Sequence, residues 1–354
     1  MDDLLLAGTP HARRQKWAAL KEHVGMRDAP EPLSRFLGVK FETRATGQYT
    51  RLLRASQQEY VKDVVRKCEE AAPFPASERS VPTVKRSDVC SDPGERARDC
   101  RTHVGALMYI ARGTRPDVTF GVNRLARQVT CWSKTDDADL AHMMGYLKGT
   151  SSHGLDMRVD VRDRKGELWL ELWVDADHAG DADRRPTGGW VLMLRGAHGT
   201  KIALDWASKK QRVVARSSGE AETTSLHEAV KDAAEGYPRG LCLAAQLAVG
   251  ANRALCSGGI PAVDFFEKVL GRDVPLRAYV DATVCKAAAE KGTSKQMRYP
   301  SKTQGVDLFW LRDVVKEVPV GLRKTDSASN MADGFTKPLP KHRTEEMREA
   351  LGVE

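Results

Sequence analysis

Residues Leu168 to Asp183, LWLELWVDADHAGDAD, constrain this chain more than any other stretch. Leu168, Leu170, Leu172 and Val174 alternate with Trp169, Glu171, Trp173 and Asp175. A period of two, carried by aliphatic and aromatic residues, specifies a strand with one face in a core. The strand runs straight into Asp175 and Asp177 and then into a turn at Ala179-Gly180-Asp181. Charge at the tip of a core strand is costly unless something pairs with it. An acidic turn facing water meets that demand by itself. Three acids further along the chain supply a different answer.

Downstream, Thr187–Leu194 and Lys201–Trp206 read as a second and a third strand, joined by a Gly-rich turn at Gly196–Gly199. Short connections of this kind make an antiparallel meander. Ser217 and Ser218 are N-cap candidates for a long helix. On it Glu222, Leu226, Ala229 and Ala233 recur at steps of four, three and four and share one face. That places Glu222 on the buried stripe and leaves Glu220 to solvent. Leu276–Val280 is a strand ending at Asp281, followed by a helix over Ala282–Lys291. The carboxyl end of a strand where a helix departs is the usual ligand position in open α/β sheets. Gly321–Thr325 is a last short strand, and the capped segment from Ser327 places Asp333 in the first turns of a helix. Asp175, Glu222, Asp281 and Asp333 can therefore converge. Four carboxylates suit hard cations, Mg2+ above all where substrate phosphates complete the shell. Two such ions clamp both oxygens of a phosphoryl displacement.

Upstream, the chain gives a short apolar strand at Leu4–Gly8 behind Asp2-Asp3, then a basic amphipathic helix over 10–27 carrying Trp17, Leu20 and Val24. Strands follow at Phe36–Phe41 and Tyr49–Leu53, then a helix over Gln58–Cys68. Pro73, Pro75, Pro82 and Pro93 mark 71–100 as a connection or mobile loop. Helical patterns return over Val104–Ile110, Val118–Val129 and Asp137–Leu147, and Arg112, Arg115, Arg124 and Arg127 fit solvated helix faces at least as well as nucleic-acid contacts. The length, 354 residues, suits two or three domains. A net charge of +8 points weakly to a polyanionic partner. Seven scattered cysteines without a CxxC pair read as reduced intracellular thiols, with neither a zinc site nor a disulfide framework. No apolar run approaches the roughly 20 residues of a membrane span, and no basic region precedes the first apolar run as a signal peptide requires.

The succession VDADHAGD, RRPTGGWV, DWASKKQ, SSGEAE, YVDAT and NMADGFTKPLP resembles the ribonuclease H domain of copia-type retrotransposon polyproteins. Upstream, MDDLLLAG resembles the tail of the YxDD box of their reverse transcriptase. FLGVKFE, QQEYVKDVV, HVGALMYIARGTRPDVTFGVNRLAR and YLKGTSSHGL resemble the segments that follow it, in the same order. The resemblance covers nearly the whole chain, and so many motifs in one order make it specific.

What the resemblance implies is an α/β protein. Residues 165–340 would form a ribonuclease H-like five-stranded mixed sheet with flanking helices. Before it would come a truncated reverse-transcriptase palm and thumb remnant (1–70), a linker-like segment (71–102) and a helical connection-like region (103–160), with a C-terminal tail at 341–354. Asp175, Glu222, Asp281 and Asp333 match the four metal-binding acids, and Asp2 and Asp3 match the polymerase pair. The implied activity is cleavage of RNA in RNA–DNA hybrids with two Mg2+, Mn2+ being able to substitute. DNA synthesis is not expected, because the rest of that polymerase site would lie upstream. Arg184, Arg185, Lys209, Lys210 and Arg212 are candidates for backbone contacts to the hybrid, a solvated surface being the equal alternative. The chain departs from the family pattern at Ala282-Thr283 after Asp281, at Thr223 after EAE, and at Gln304–Asp307, where a histidine is missing. The alternative function is a hybrid-binding relict that keeps the fold without the chemistry.

Overall fold

The computed structural model describes residues 10–23, 31–71, 77–86, 90–163, 167–178, 183–236, 276–294, 305–317 and 320–354, with residues 6, 297 and 302. Asp2, Asp3, most of the Leu4–Gly8 strand, positions 24–27 of the first helix, the Ala179-Gly180-Asp181 turn and Gln304 lie outside the described residues.

The strand expected at Leu168 forms as β5 (Leu168–Asp177). Its core face is the expected one, since Leu168, Leu170, Leu172 and Val174 are all buried. It pairs antiparallel along its whole length with β6 (Thr187–Gly196), which pairs in turn with β7 (Lys201–Lys210). On its other side it pairs parallel with β8 (Leu276–Val280), and β8 pairs parallel with β9 (Val320–Lys324). These five strands are the expected meander extended by two.

They are not the whole sheet. β1 (Arg35–Phe36), β2 (Val39–Ala45), β3 (Thr50–Ser56) and β4 (Leu155–Asp160) complete a nine-stranded sheet in the order β1-β2-β3-β4-β7-β6-β5-β8-β9. The five-strand expectation is corrected by β4, which lies in a stretch read as helical connection. Its alternation of Leu155, Met157 and Val159 with acids and an arginine is short but strand-like. Six residues of β4 pair with β3, and Arg158 opposite Lys201 joins β4 to β7. The acids on β4 are compensated. Arg54 holds Asp156 at 3.1 Å, and Arg162 holds Asp160 at 2.9 Å. A second correction concerns Phe36–Phe41, which is not one strand. Leu37 (φ 45°) and Gly38 (φ 73°) form a two-residue hairpin. Positive φ at both central positions is what a tight turn matching strand twist demands.

Nine α-helices are described: α1 (Pro10–His23), α2 (Gln58–Ala71), α3 (Cys100–Gly113), α4 (Thr119–Ala126), α5 (Lys134–Gly149), α6 (Ser218–Gly236), α7 (Thr283–Lys291), α8 (Leu308–Glu317) and α9 (Lys341–Leu351). Two principal cores result. One gathers side chains from β2 to β9 with Leu226, Ala229 and Val230 of α6, Leu311 of α8 and Leu351 of α9. The other packs α2 to α5 around Leu107, Ile110, Leu140 and Met143. The C-terminal tail is structured, for after α9 Val353 bridges to Leu155. Between α2 and α3 the described residues of the Pro-rich connection carry no helix or strand, yet they are strapped down. Arg86 reaches Asp136 at 2.7 Å and Asp139 at 2.6 Å, and the buried Arg96 donates to the Cys68 carbonyl.

Two of the arginines read as solvated are not. Arg124 is buried against Asp139 at 3.0 Å. Arg115 is wholly buried and forks onto both oxygens of Asp117, at 2.9 and 2.8 Å. Thr150 accepts two more hydrogens through its carbonyl and hydroxyl, and the Tyr146 hydroxyl donates to Asp117 at 2.6 Å. Removing one member strands a buried charge, whereas an apolar replacement of both does not. Asp117→Asn should therefore lower stability by about 3–5 kcal/mol in urea unfolding. The double variant Arg115→Met/Asp117→Leu should recover most of that loss.

Candidate functional site

Asp175 sits near the carboxyl end of β5, opposite Gly189 of β6, and is 3% exposed. On the parallel neighbour, Trp173 is level with Tyr279, so Asp281, just past β8, reaches the height of Asp175. Glu222 comes from the first turns of α6. The expected stripe forms, since Glu222, Leu226 and Ala229 are all buried. The backbone N–H of Ala282 donates to Glu222 Oε2 at 2.9 Å, which ties the helix to the end of β8.

Asp333 arrives differently from the expectation. Met331–Phe335 is a 3-10 turn and not the start of a longer helix. Its cap is the buried Asn330, whose side chain accepts from Ala332 N at 3.1 Å and donates to the Val174 carbonyl at 2.9 Å. One side chain thus pins the turn to β5 beside Asp175. The approach requires glycine at 189, where a Cβ would stand 2.5 Å from Phe335 Cβ and 2.8 Å from Thr336 Cγ2. Beyond the turn the Thr336 hydroxyl donates to Asp175 Oδ2. The Lys337 ammonium lies 2.9 Å from Asp333 Oδ1 and 3.7 Å from Asp175 Oδ2. Asn330, Thr336, Lys337 and Gly189 all lie inside recognisable motifs, but the sequence reading singled out only the acids.

The four acids come together as two linked pairs, Asp175 with Asp333 across Lys337, and Glu222 with Asp281. Burial, a hydrogen bond to Asp281 and the charges of Asp281 and Asp175 push the Glu222 carboxyl up to about 9. Burial and the neighbouring Asp175 push Asp333 up to about 6, against the pull of Lys337. Burial works against the Lys337 ammonium, but Asp175 and Asp333 outweigh it and raise its pKa. Asp281 accepts from Ser327 Oγ at 2.9 Å through Oδ2, while, apart from the Glu222 carboxyl when protonated, its buried Oδ1 has no donor among the described residues. As the side chains stand, no three described His, Cys, Asp or Glu residues form a group that could hold an ion. The donor chemistry nevertheless fits one. All the oxygens are hard, they repel one another, and one is buried without a donor, which is the situation a hard divalent cation relieves.

The five basic candidates cluster at the same end of the sheet. Lys210 and Lys209 stand opposite Thr187 and Gly188 at the start of β6, and Thr187 itself faces Asp177. Arg185 and Lys210 both hold Asp183, at 2.8 and 2.9 Å. Arg184 is exposed in a left-handed conformation (φ 54°), and Arg212 is exposed. Glu220 is a further correction, being buried and not solvated. Its Oε2 accepts from Arg216 N at 2.8 Å while its own N–H donates to Ser217 Oγ at 3.2 Å. Ser217 Oγ thus caps the helix while Glu220 reaches back one residue beyond it, a variant of the capping box whose sequence signature is Ser217-x-x-Glu220.

Comparison with known proteins gives consistent relatives. The chain is 34% identical over 232 residues to the retrovirus-related Pol polyprotein from transposon RE2 of Arabidopsis thaliana, covering 64% of this chain and 14% of that protein. It is 25% identical over 363 residues, 100% of this chain and 24% of that protein, to the corresponding polyprotein from transposon TNT 1-94 of Nicotiana tabacum. The chain thus spans a quarter or less of the length of these relatives. No family model matches. Among solved structures, a foamy viral protease-reverse transcriptase in complex with RNA/DNA hybrid covers 82% of this chain at 12% identity, with a TM-score of 0.42, too loose to carry an argument.

The electrostatics of the site set a pH dependence. A carboxyl whose folded pKa lies above its unfolded value binds a proton more readily in the folded chain, so its favourable contribution is complete below the unfolded pKa. That contribution is lost as pH rises towards the folded one. For Glu222 the window runs from 4.5 to about 9. With divalent ions removed by EDTA, the melting temperature of Glu222→Gln should fall less steeply across that window than that of the wild type. Parallel curves would contradict the assignment. Glu220→Ala should cost about 1 kcal/mol through its cap alone, measured by urea unfolding.

Proposed function

The chain belongs to the family of copia-type retrotransposon Pol polyproteins, and from that premise we propose that residues 165–340 cut the RNA strand of RNA–DNA hybrids as a ribonuclease H-like domain. Residues 1–70 would then belong to the reverse transcriptase, joined through 71–102 to the helical region 103–160. DNA synthesis is no part of this proposal, since Asp2 and Asp3 lie outside the described residues.

One observation carries the reading, the convergence of Asp175, Glu222, Asp281 and Asp333 at the carboxyl ends of β5 and β8. Glu222 and Asp333 have raised pKa values there, and perturbed carboxyls gathered at one point are a mark of functional sites. Asp175 and Asp333 would hold one ion and Glu222 with Asp281 a second. When bound, a pair of Mg2+ ions, or Mn2+ in their place, would activate water and neutralise charge on the leaving 3′ oxygen. The chain's own part is to fix the carboxylates. Asn330 and Gly189 set the position of Asp333, the Thr336 hydroxyl orients Asp175, and Ala282 N orients Glu222. Arg184, Lys209 and Arg212, at the same end of the sheet, would contact the hybrid's phosphates without reading its sequence.

A second reading, a module that binds hybrids without cutting them, is favoured by the departures from the family pattern at Thr223 and at Ala282-Thr283, beside Glu222 and Asp281. Cleavage of a labelled hybrid in Mg2+ separates the two, since a binder retards the hybrid and leaves it whole. Asp175→Asn and Glu222→Gln should each reduce cleavage by at least about 100-fold, because even groups that merely orient metal ligands are worth about 10- to 100-fold. Asp175→Asn should still retard the hybrid in a gel. Cleavage that survives Asp175→Asn would refute the assignment.

A further inference from the structure

Among the described residues, Lys337 is the one cation placed between two members of the acidic cluster. Its ammonium lies 2.9 Å from Asp333 Oδ1 and 3.7 Å from Asp175 Oδ2. Those oxygens come from different elements, β5 and the Met331–Phe335 turn, so the side chain bridges the two pieces whose apposition makes the site. The Lys337 backbone is fixed, its N–H donating to the Asp333 carbonyl at 3.0 Å. The side chain is not enclosed, with 37% of its surface exposed. A lysine of this kind is a point charge on a flexible four-carbon stem and can leave without moving the main chain. The Thr336 hydroxyl bonds the same Asp175 oxygen, so Asp175 keeps one fixed partner when the ammonium departs.

We propose that Lys337 is a counter-ion that competes with a divalent cation for Asp175 and Asp333, holding the two carboxylates together, and that cation entry requires its side chain to swing out. The inference rests on the nuclease reading above. It assigns to Lys337 the part of a positioning residue, which keeps two mutually repelling carboxylates in register and sets the cation concentration at which the site fills. Two like charges this close are costly without a cation between them. Lys337 supplies that cation until a divalent ion replaces it.

The test has two arms, neither of which reads activity. In the first, Mn2+ is titrated into wild type and into Lys337→Met, and uptake is followed by calorimetry and by thermal shift. The variant has no competing ammonium, so half-saturation should come at about tenfold lower Mn2+, in line with removal of one nearby positive charge. In EDTA the variant should melt lower than wild type, and Mn2+ should restore it. The second arm uses the unaltered chain, so it holds even if the variant folds poorly. Acylation of surface lysines, read by mass spectrometry, should increase at Lys337 when Mg2+ is added and stay constant at Lys341. If wild type takes up Mn2+ and cuts the hybrid, but Lys337 labelling and the variant's half-saturation do not change, this inference alone is overturned. If wild type takes up no Mn2+, the nuclease reading falls with it.

Discussion

Mutual repulsion among carboxylates gathered at the end of β5, three of them buried, is the constraint on which the site depends. Left free, Asp175, Glu222, Asp281 and Asp333 would turn apart into water. Each is held by the backbone of a different element. Antiparallel register with β6 fixes Asp175, and parallel register with β8 brings Asp281 level with it. Ala282 N anchors Glu222, and the Asn330 cap presses the Asp333 turn onto β5. The nine-stranded sheet is what makes this possible, because a strand buried between β6 and β8 cannot yield to a local repulsion. Burial first, and the neighbouring acids second, therefore raise the pKa values of Glu222 and Asp333.

Much of this was legible in the residues. The period of two in Leu168–Val174 named the core face, and the four-three-four spacing selected Glu222, because burial follows those periods directly. What escaped were features that depend on contacts between distant segments. β4 is six residues long, too short for its alternation to stand out, and its role appears only through pairing with β3 more than a hundred residues upstream. Lys337 and Thr336 carry no periodic signal, and their work becomes visible only when the turn lies against β5. Glu220 is the opposite case. Its capping signature was present in Ser217-x-x-Glu220, but helix-face spacing alone sent it to solvent, because a cap is satisfied by the backbone and lies outside the stripe.

The helical part of the chain faces the same physical problem and resolves it within itself. Arg115 and Asp117 are more deeply buried than any acid of the site, yet each polar atom finds a partner in Asp117, Thr150 or Tyr146. Arg86 and Arg124 close around Asp139 in the same way. Arg115 and Arg124 read in the sequence as solvated helix faces at least as readily as nucleic-acid contacts, because charge on a helix usually faces water. Here the opposing acids lie far enough away along the chain, or on the far side of a proline, that the pairing is invisible before folding.

The contrast between the two regions is itself an argument about function. A buried charge whose partners all come from its own chain is structural, since nothing is left over for a ligand to do. At the end of β5 the ledger does not close in that way. Asp281 Oδ1 lacks a donor among the described residues apart from the Glu222 carboxyl when protonated, Glu222 is driven towards its neutral form, and one lysine spans two carboxylates. A chain able to neutralise Asp117 so completely had the means to neutralise these acids with a second arginine. It placed there a single flexible lysine, the cation most easily moved aside. An incompletely neutralised cluster, rigidly held yet closed by a removable charge, is the feature on which the proposed nuclease reading and the proposed exchange of Lys337 for a cation both rest.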